Sequence, residues 1–130
     1  MNTQITLASK SLTRSRLLTN AKIKFKTVDH GVDEDEIKLS MSESSPEDIV
    51  TRLAEMKALK VSISNEGLVI GSDQGLDLNG KLVNKAKNFN EAHEQLKSMS
   101  GQEHTLITTT VVAKENNICL LYTSDAADEG

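Results

Sequence analysis

The run Gly67-Leu68-Val69-Ile70-Gly71 limits the fold more than any other stretch of this 130-residue chain. Consecutive apolar residues between glycines, followed at once by Ser72 and Asp73, read as a short strand buried on both faces. Such a strand sits inside a sheet, and other segments must cover each side of it. Ile5-Thr6-Leu7-Ala8 is a second β-type run, which meets Ser9 and Ser11 and then a helical pattern carrying Leu12, Leu17, Leu18 and Ala21. Residues 22–28 alternate, with Ile23 and Phe25 on one face and lysines on the other, as in a half-buried strand.

Ser45-Pro46-Glu47-Asp48 combines a hydroxyl cap, an early proline and first-turn acids, so a helix is predicted from there to about residue 61. Its apolar stripe is Ile49, Val50, Leu53 and Met56, while Thr51, Arg52 and Glu55 face away. Lys57 falls inside the stripe. The acidic stretch 33–41 is weakly helical. Leu76 and Leu78 precede Asn79-Gly80, and Leu82 and Val83 follow it, which predicts a type I′ hairpin. Asn90 is expected to cap a helix carrying Ala92, Leu96 and Met99 that stops at Gly101, and residues 105–113 form a β-branched strand. The order β, α, β, α, α, β, hairpin, α, β indicates one mixed α/β domain, a twisted mixed sheet flanked by helices.

Composition narrows the functional classes. With 15 basic and 19 acidic side chains the chain has neither a nucleic-acid footprint nor a polybasic membrane surface, so neither partner is expected. Cys119 is the only cysteine, which excludes a disulfide framework or a thiolate zinc site within the chain. His30, His93 and His104 lack paired metal spacing and read as solvated or structural. The apolar runs fall short of a membrane span, so a cytoplasmic protein is the expectation.

The end of the chain is set apart. Cys119-Leu120-Leu121-Tyr122-Thr123-Ser124-Asp125-Ala126-Ala127-Asp128-Glu129 continues no pattern seen earlier and resembles the in-frame translation of a transposase adapter. The domain is therefore expected to span 1–118, with 119–130 a non-native tail. Asp125, Asp128 and Glu129 are three of the 19 acids, so without them the charge is close to balanced.

Chemistry-bearing residues cluster at predicted element ends. Ser9, Ser11 and Arg14 stand where a strand hands over to a helix, and free N–H groups, a positive helix end and a guanidinium suit a phosphate there. A plain helix cap with a solvated Arg14 is the alternative. Lys57, on an apolar face, must snorkel, pair with an acid or line a polar cavity, and Lys60 shares that face near the helix end. Asp73 is expected to project from the carboxyl end of the buried strand, where it could hold Mg²⁺ or take a proton from water; a turn aspartate is the alternative. Asp77 would share its face if the strand continues past Gly75. Asp33, Glu34, Asp35 and Glu36 read most simply as a solvated helix start. A hard cation held by one or two carboxylates plus phosphates fits this donor set better than zinc does.

In order and spacing, several of these stretches resemble the Maf family of nucleoside triphosphate pyrophosphatases. They are Leu7-Ala8-Ser9-Lys10-Ser11, Arg14 with Leu17-Leu18, Val32-Asp33-Glu34, Ser45-Pro46 and Arg52-Leu53-Ala54-Glu55-Met56-Lys57-Ala58. Gly71-Ser72-Asp73-Gln74, Lys85 and Ser100-Gly101 with His104 continue the match. The resemblance implies a Maf/ITPase-like fold and hydrolysis of a nucleoside triphosphate to its monophosphate and pyrophosphate, with a divalent cation (Mg²⁺ or Mn²⁺) and a homodimer. It implies Asp73 as proton acceptor, Lys57 and Lys85 as catalytic cations, Glu34 as a residue placing metal or water, and Asp73 and Glu34 as metal ligands. Ser9, Ser11 and Arg14 would bind phosphate, and Thr13 and Gln74 would set specificity.

The chain also departs from that family. Leu12 and Thr13 replace a common Pro-Arg, and Ala86 replaces the proline after the family lysine. Gln74 resembles the branch acting on 7-methyl-GTP, but Thr13 is not that branch's aromatic residue, which leaves the base open. Family members continue well past Ile118 and bring a further substrate contact from there. The chain is accordingly expected to be an N-terminal portion with little activity, unpaired strand edges and a tendency to associate. A non-catalytic nucleotide-binding protein or division regulator is the competing expectation.

Overall fold

The computed structural model describes residues 4–9, 12–83 and 86–129. Lys10, Ser11 and Lys85 thus lie outside the described residues, as does the side chain of Thr13. The elements run β1 (Ile5–Leu7), α1 (Leu12–Asn20), β2 (Lys26–Thr27), α2 (Glu34–Ser40), α3 (Pro46–Ser62) and β3 (Leu68–Leu78), then β4 (Lys81–Val83), α4 (Phe89–Met99), β5 (Glu103–Lys114) and β6 (Asn117–Glu129). One mixed sheet has the order β2-β1-β3-β5-β6, with β4 also on β3. β1 is parallel to β2 and β3, whereas β5 runs antiparallel to β3 and β6. The predicted mixed α/β architecture is the observed one.

α3 is the helix that closes the core. Ser45 caps it by accepting from the Asp48 N–H at 3.2 Å, and Pro46 occupies the first turn, where its missing N–H costs nothing. Ile49, Val50, Leu53, Ala54, Ala58 and Val61 are buried against the sheet. Ala54 and Ala58 pack with Val111 and Ala113, and Val61 packs with Ala8 and Val69. Small residues set how close the layers come. A Cβ on Gly71 would lie 2.6 Å from both the Ala54 carbonyl oxygen and the Ala58 nitrogen, so strand and helix backbones meet directly there.

Three elements differ in extent from the sequence expectation. β3 continues through Gly75 to Leu78, since a Cβ at Gly75 would strike Val50 at 2.6 Å and Leu82 at 2.7 Å; glycine lets α3 and β4 close over the strand without ending it. Asp73 therefore lies within β3, not at its carboxyl end. β2 is only Lys26–Thr27 because the C-terminus of α1 consumes the preceding residues. Lys22 has φ of 60°, its N–H bonds the Thr19 carbonyl and the Ile23 N–H reaches the Leu18 carbonyl, a Schellman closure. α4 is capped by Asn88, whose Oδ1 accepts from the Glu91 N–H at 2.8 Å; Asn90 lies inside the helix.

Both hairpins close on residues of positive φ. Asn79 and Gly80 form the predicted type I′ turn, and Asp77 accepts from the Gly80 N–H at 2.8 Å. Glu115 and Asn116, with φ of 51° and 62°, make the same kind of turn and fold the end of the chain back along β5. Residues 119–129, set apart on their sequence, make up most of β6. Ile118, Leu120, Leu121 and Tyr122 remain exposed on this edge strand.

Thr6 is fully buried and its hydroxyl has no hydrogen-bond partner among the described residues. Thr6→Val removes that unpaired group at constant shape, and is expected to leave urea stability unchanged or raise it by about 1 kcal/mol. Gly71→Ala forces the backbones apart and should lower it by about 1–3 kcal/mol. A Gly71→Ala chain as stable as wild type would contradict the close approach of β3 to α3.

Candidate functional site

The site begins with an open stretch of strand. β1 follows β3 only as far as the bond from the Ala8 N–H to the Ile70 carbonyl, and β4 joins β3 only at Leu76. Between them residues 71–75 have no ladder partner on that side among the described residues. Asp73 sits in the middle of this notch, with Ser9 just past the end of β1 beside it in the chain order of the sheet.

Lys57 reaches the notch from α3. It is 4% exposed, and its Nζ donates to Asp73 Oδ1 at 2.9 Å and lies 2.8 Å from Glu34 Oε1. Of the three fates open to an ammonium on an apolar helix face, pairing with acids is the one realised. The apolar stripe of α3 turns Lys57 toward the sheet, the alternation of β3 turns Asp73 toward α3, and the Asp33 cap on the Glu36 N–H starts α2 so that Glu34 stands over both. Burial raises the Glu34 pKa, but its bond to Lys57 and the charges of Lys57, His30 and Lys38 outweigh this and hold the carboxyl below its usual value.

The loop before Glu34 is tied down at several atoms. Asp29 accepts from the Gly31 N–H at 3.2 Å, His30 Nδ1 accepts from the Val32 N–H at 2.9 Å, and Lys60 Nζ donates to the Gly31 carbonyl at 2.5 Å. Lys60, one turn beyond Lys57, thus grips the segment that carries Glu34. His30 is half-buried beside this cluster, in the structural rather than the solvated of the two roles its sequence context allowed. Burial first and Lys57 second lower its pKa, against the pull of Glu34, Asp29 and Asp73.

A second group lies on the opposite face of β3. Arg14 Nη1 donates to Ser9 Oγ at 3.3 Å, and Ser9 is 5% exposed. Arg14 also lines a cavity of about 370 Å³ with Leu7, Leu17, Leu18, Ile70, Ser72, Gln74, Thr108 and Thr110. Strand alternation explains the division: Ser72 and Gln74 point to the α1 side, Asp73 to the α3 side. The expected site residues that are described therefore fall into a carboxylate–ammonium cluster and a guanidinium–hydroxyl–amide cavity on either side of the notch. The cavity residues Thr108 and Thr110 were missed in the sequence. The alternation of the 108–110 threonine run was the available signal, since it puts two of the three hydroxyls on one face.

Because the folded pKa of His30 lies below 6.5, the unfolded chain binds its proton first as pH falls. The stability associated with neutral His30 is complete above pH 6.5 and declines below it, until the folded form also protonates. Urea midpoints measured from pH 7.5 to about 5 should fall for wild type, and less steeply for His30→Asn. Parallel profiles would remove His30 from this account.

Comparison with known proteins places the chain in a family. The family model described as Maf-like protein matches residues 4–127. A nucleoside triphosphate pyrophosphatase of Caulobacter vibrioides is 46% identical over 115 residues, covering 87% of this chain and 58% of that protein. A 7-methyl-GTP pyrophosphatase of Brucella abortus is 41% identical over 118 residues, covering 88% and 59%. The chain thus spans a little under three-fifths of the length of these relatives. Among solved structures, the Ham1 protein of Staphylococcus aureus superposes with a TM-score of 0.58 at 14% identity, over 97% of this chain and 71% of that one, which shows a shared fold. With the family match running through β1, α3, β3 and the residues of both halves of the site, the chain belongs to the Maf-like family.

Proposed function

We propose that this protein hydrolyses nucleoside triphosphates to the monophosphate and pyrophosphate, in the cytoplasm. The observation that carries the reading is Lys57, buried and held by Glu34 and Asp73 at an open stretch of β3. A structural ion pair could be made anywhere in the core; this one borders a notch whose other side presents Arg14 and Ser9. The names of the relatives in Caulobacter vibrioides and Brucella abortus support the same reaction class.

In this reading Ser9, Ser11 and Arg14 bind the phosphates, and Lys57 and Lys85 neutralise charge as it builds at the α-phosphorus. Asp73 accepts a proton from the attacking water. The water oxygen bonds to the α-phosphorus, and the bond to the oxygen bridging to the β-phosphate breaks. Pyrophosphate departs with that electron pair. Glu34 orients water or metal, while Thr13 and Gln74 read the base.

The donor set fits a hard divalent cation such as Mg²⁺ or Mn²⁺. Carboxylate oxygens of Glu34 and Asp73 both come within 3 Å of one Lys57 nitrogen, so they converge on a small volume. Among the described residues no group of three or more His, Cys, Asp or Glu side chains forms a cage, so phosphate oxygens and water would supply the other ligands. Such a cation, when bound, lowers the repulsion that the phosphate oxygens present to a nucleophile.

The test uses protein in excess over triphosphate, so that even slow turnover is seen. Nucleoside monophosphate and pyrophosphate should appear in equal amounts, with 7-methyl-GTP among the substrates tried on account of Gln74 and the Brucella relative. Asp73→Asn should slow the reaction by about 10²–10⁴-fold while triphosphate still binds. Release of inorganic phosphate, or a rate unchanged in Asp73→Asn, would overturn the assignment. Binding without turnover in either form would favour a nucleotide-binding role instead.

A further inference from the structure

The α1 side of the β3–β5 pair carries an ordered set of cross-strand partners. Ile70 stands opposite Val112, Ser72 opposite Thr110, Gln74 opposite Thr108 and Leu76 opposite Leu106. Two polar pairs are thus bracketed by two apolar ones on a single sheet face, and all four polar side chains line the cavity beside Arg14. Leu17 and Leu18 of α1 line it across from Leu7 and Ile70, so apolar surface is available for a flat ring, with polar groups along one margin.

Within that margin one contact is specific. Gln74 Nε2 donates to Thr108 Oγ1 at 3.1 Å, directly across the antiparallel pair. Gln74 is otherwise an exposed, long side chain with several rotamers, and an unanchored amide would present its carbonyl and amino ends interchangeably. Bonded to Thr108, the amide is held against the sheet with its nitrogen engaged and its carbonyl oxygen left as the acceptor for a ligand.

We propose that Thr108 is a positioning residue for base recognition: by anchoring Gln74 across the β3–β5 pair, it sets which nucleobase edge the cavity accepts. The ligand is the base of a nucleoside triphosphate, with an N–H donor edge turned to the Gln74 carbonyl and its phosphates toward Arg14 and Ser9. This rests on the triphosphate reading above. Thr108 acts through Gln74 and has no part in the cleavage step.

The experiment measures equilibrium binding of GTP, ATP, UTP, CTP and inorganic tripolyphosphate to wild type, Thr108→Val, Thr108→Ser, Gln74→Met and the double variant Thr108→Val/Gln74→Met. Valine keeps the β-branched shape at a half-buried strand position, and serine keeps the hydroxyl. In Thr108→Val the affinity ratio between best and worst base should shrink about tenfold, with tripolyphosphate unchanged and Thr108→Ser restoring the ratio. The double variant should match Gln74→Met alone, since the hydroxyl has nothing to anchor once the amide is gone.

An unchanged ranking in Thr108→Val overturns the inference, as does an equal weakening of all five ligands, which marks a merely structural residue. Tripolyphosphate binding without any base preference in wild type overturns it too, while sparing the phosphate site. If neither tripolyphosphate nor any nucleotide binds wild type, the proposed function fails and this inference with it.

Discussion

The ammonium of Lys57 ties α2 to a helix and a strand that already pack together. It arrives on α3, the helix that closes the core, and is held by one carboxylate from β3 and one from the first turn of α2. Isolated in that environment a cation would be strongly unfavourable, and so would the buried Asp73 carboxylate without it. Placing them together converts several separate penalties into one compensated cluster. The cluster in turn fixes where α2 sits over the sheet, because α2 buries no residue of its own. Removing the ammonium would leave two carboxylates facing each other, so the geometry of the site and the seating of α2 are the same problem.

Much of the fold is legible in the residues. Ser45-Pro46 announces α3, the stripe along it names the buried face, and Asn79-Gly80 marks a hairpin with both residues at positive φ. What escapes the sequence are events settled by tertiary contact. Gly75 reads as an interruption because glycine weakens strands, yet here a side chain would collide with Val50 and Leu82, so its absence lets β3 continue. Lys22 carries no sign of a helix stop, since most such positions are glycine. Glu115-Asn116 is a poor advertisement for a tight turn, and the strand it introduces continues no pattern seen earlier in the chain.

The candidate site is legible in its membership and less so in its arrangement. Lys57 stands out as a charge in an apolar stripe, and Asp73 as an acid following a buried run. Their partnership with each other was not written in the spacing, because the distance between residues 57 and 73 in the chain carries no information about a helix laid across a strand. Nor was the separation of Asp73 from its neighbours Ser72 and Gln74, although period-two alternation makes it unavoidable once the strand is known to continue. His30 and Thr108 escaped for a common reason. Each gains its setting from a segment distant in the chain: His30 from Lys57, Thr108 from Gln74.

The parallel pairing of β1 with β3 carries a consequence for how the molecule comes into being. Ile5 must wait for Leu68, across a loop that contains α1, α2 and α3, whereas β3 finds β4 through a two-residue turn and β5 finds β6 the same way. Loop closure entropy makes the distant match slow and the hairpins quick. On a ribosome, where residues emerge in chain order, β1 and the Ser9 just past it are made well before β3 and pair with it late. The half of the site bearing Arg14 and Ser9 is thus brought to the half bearing Lys57 and Asp73 at a late step of folding. A nucleotide that spans both halves would act as a clasp on that final closure, favouring the finished chain by mass action.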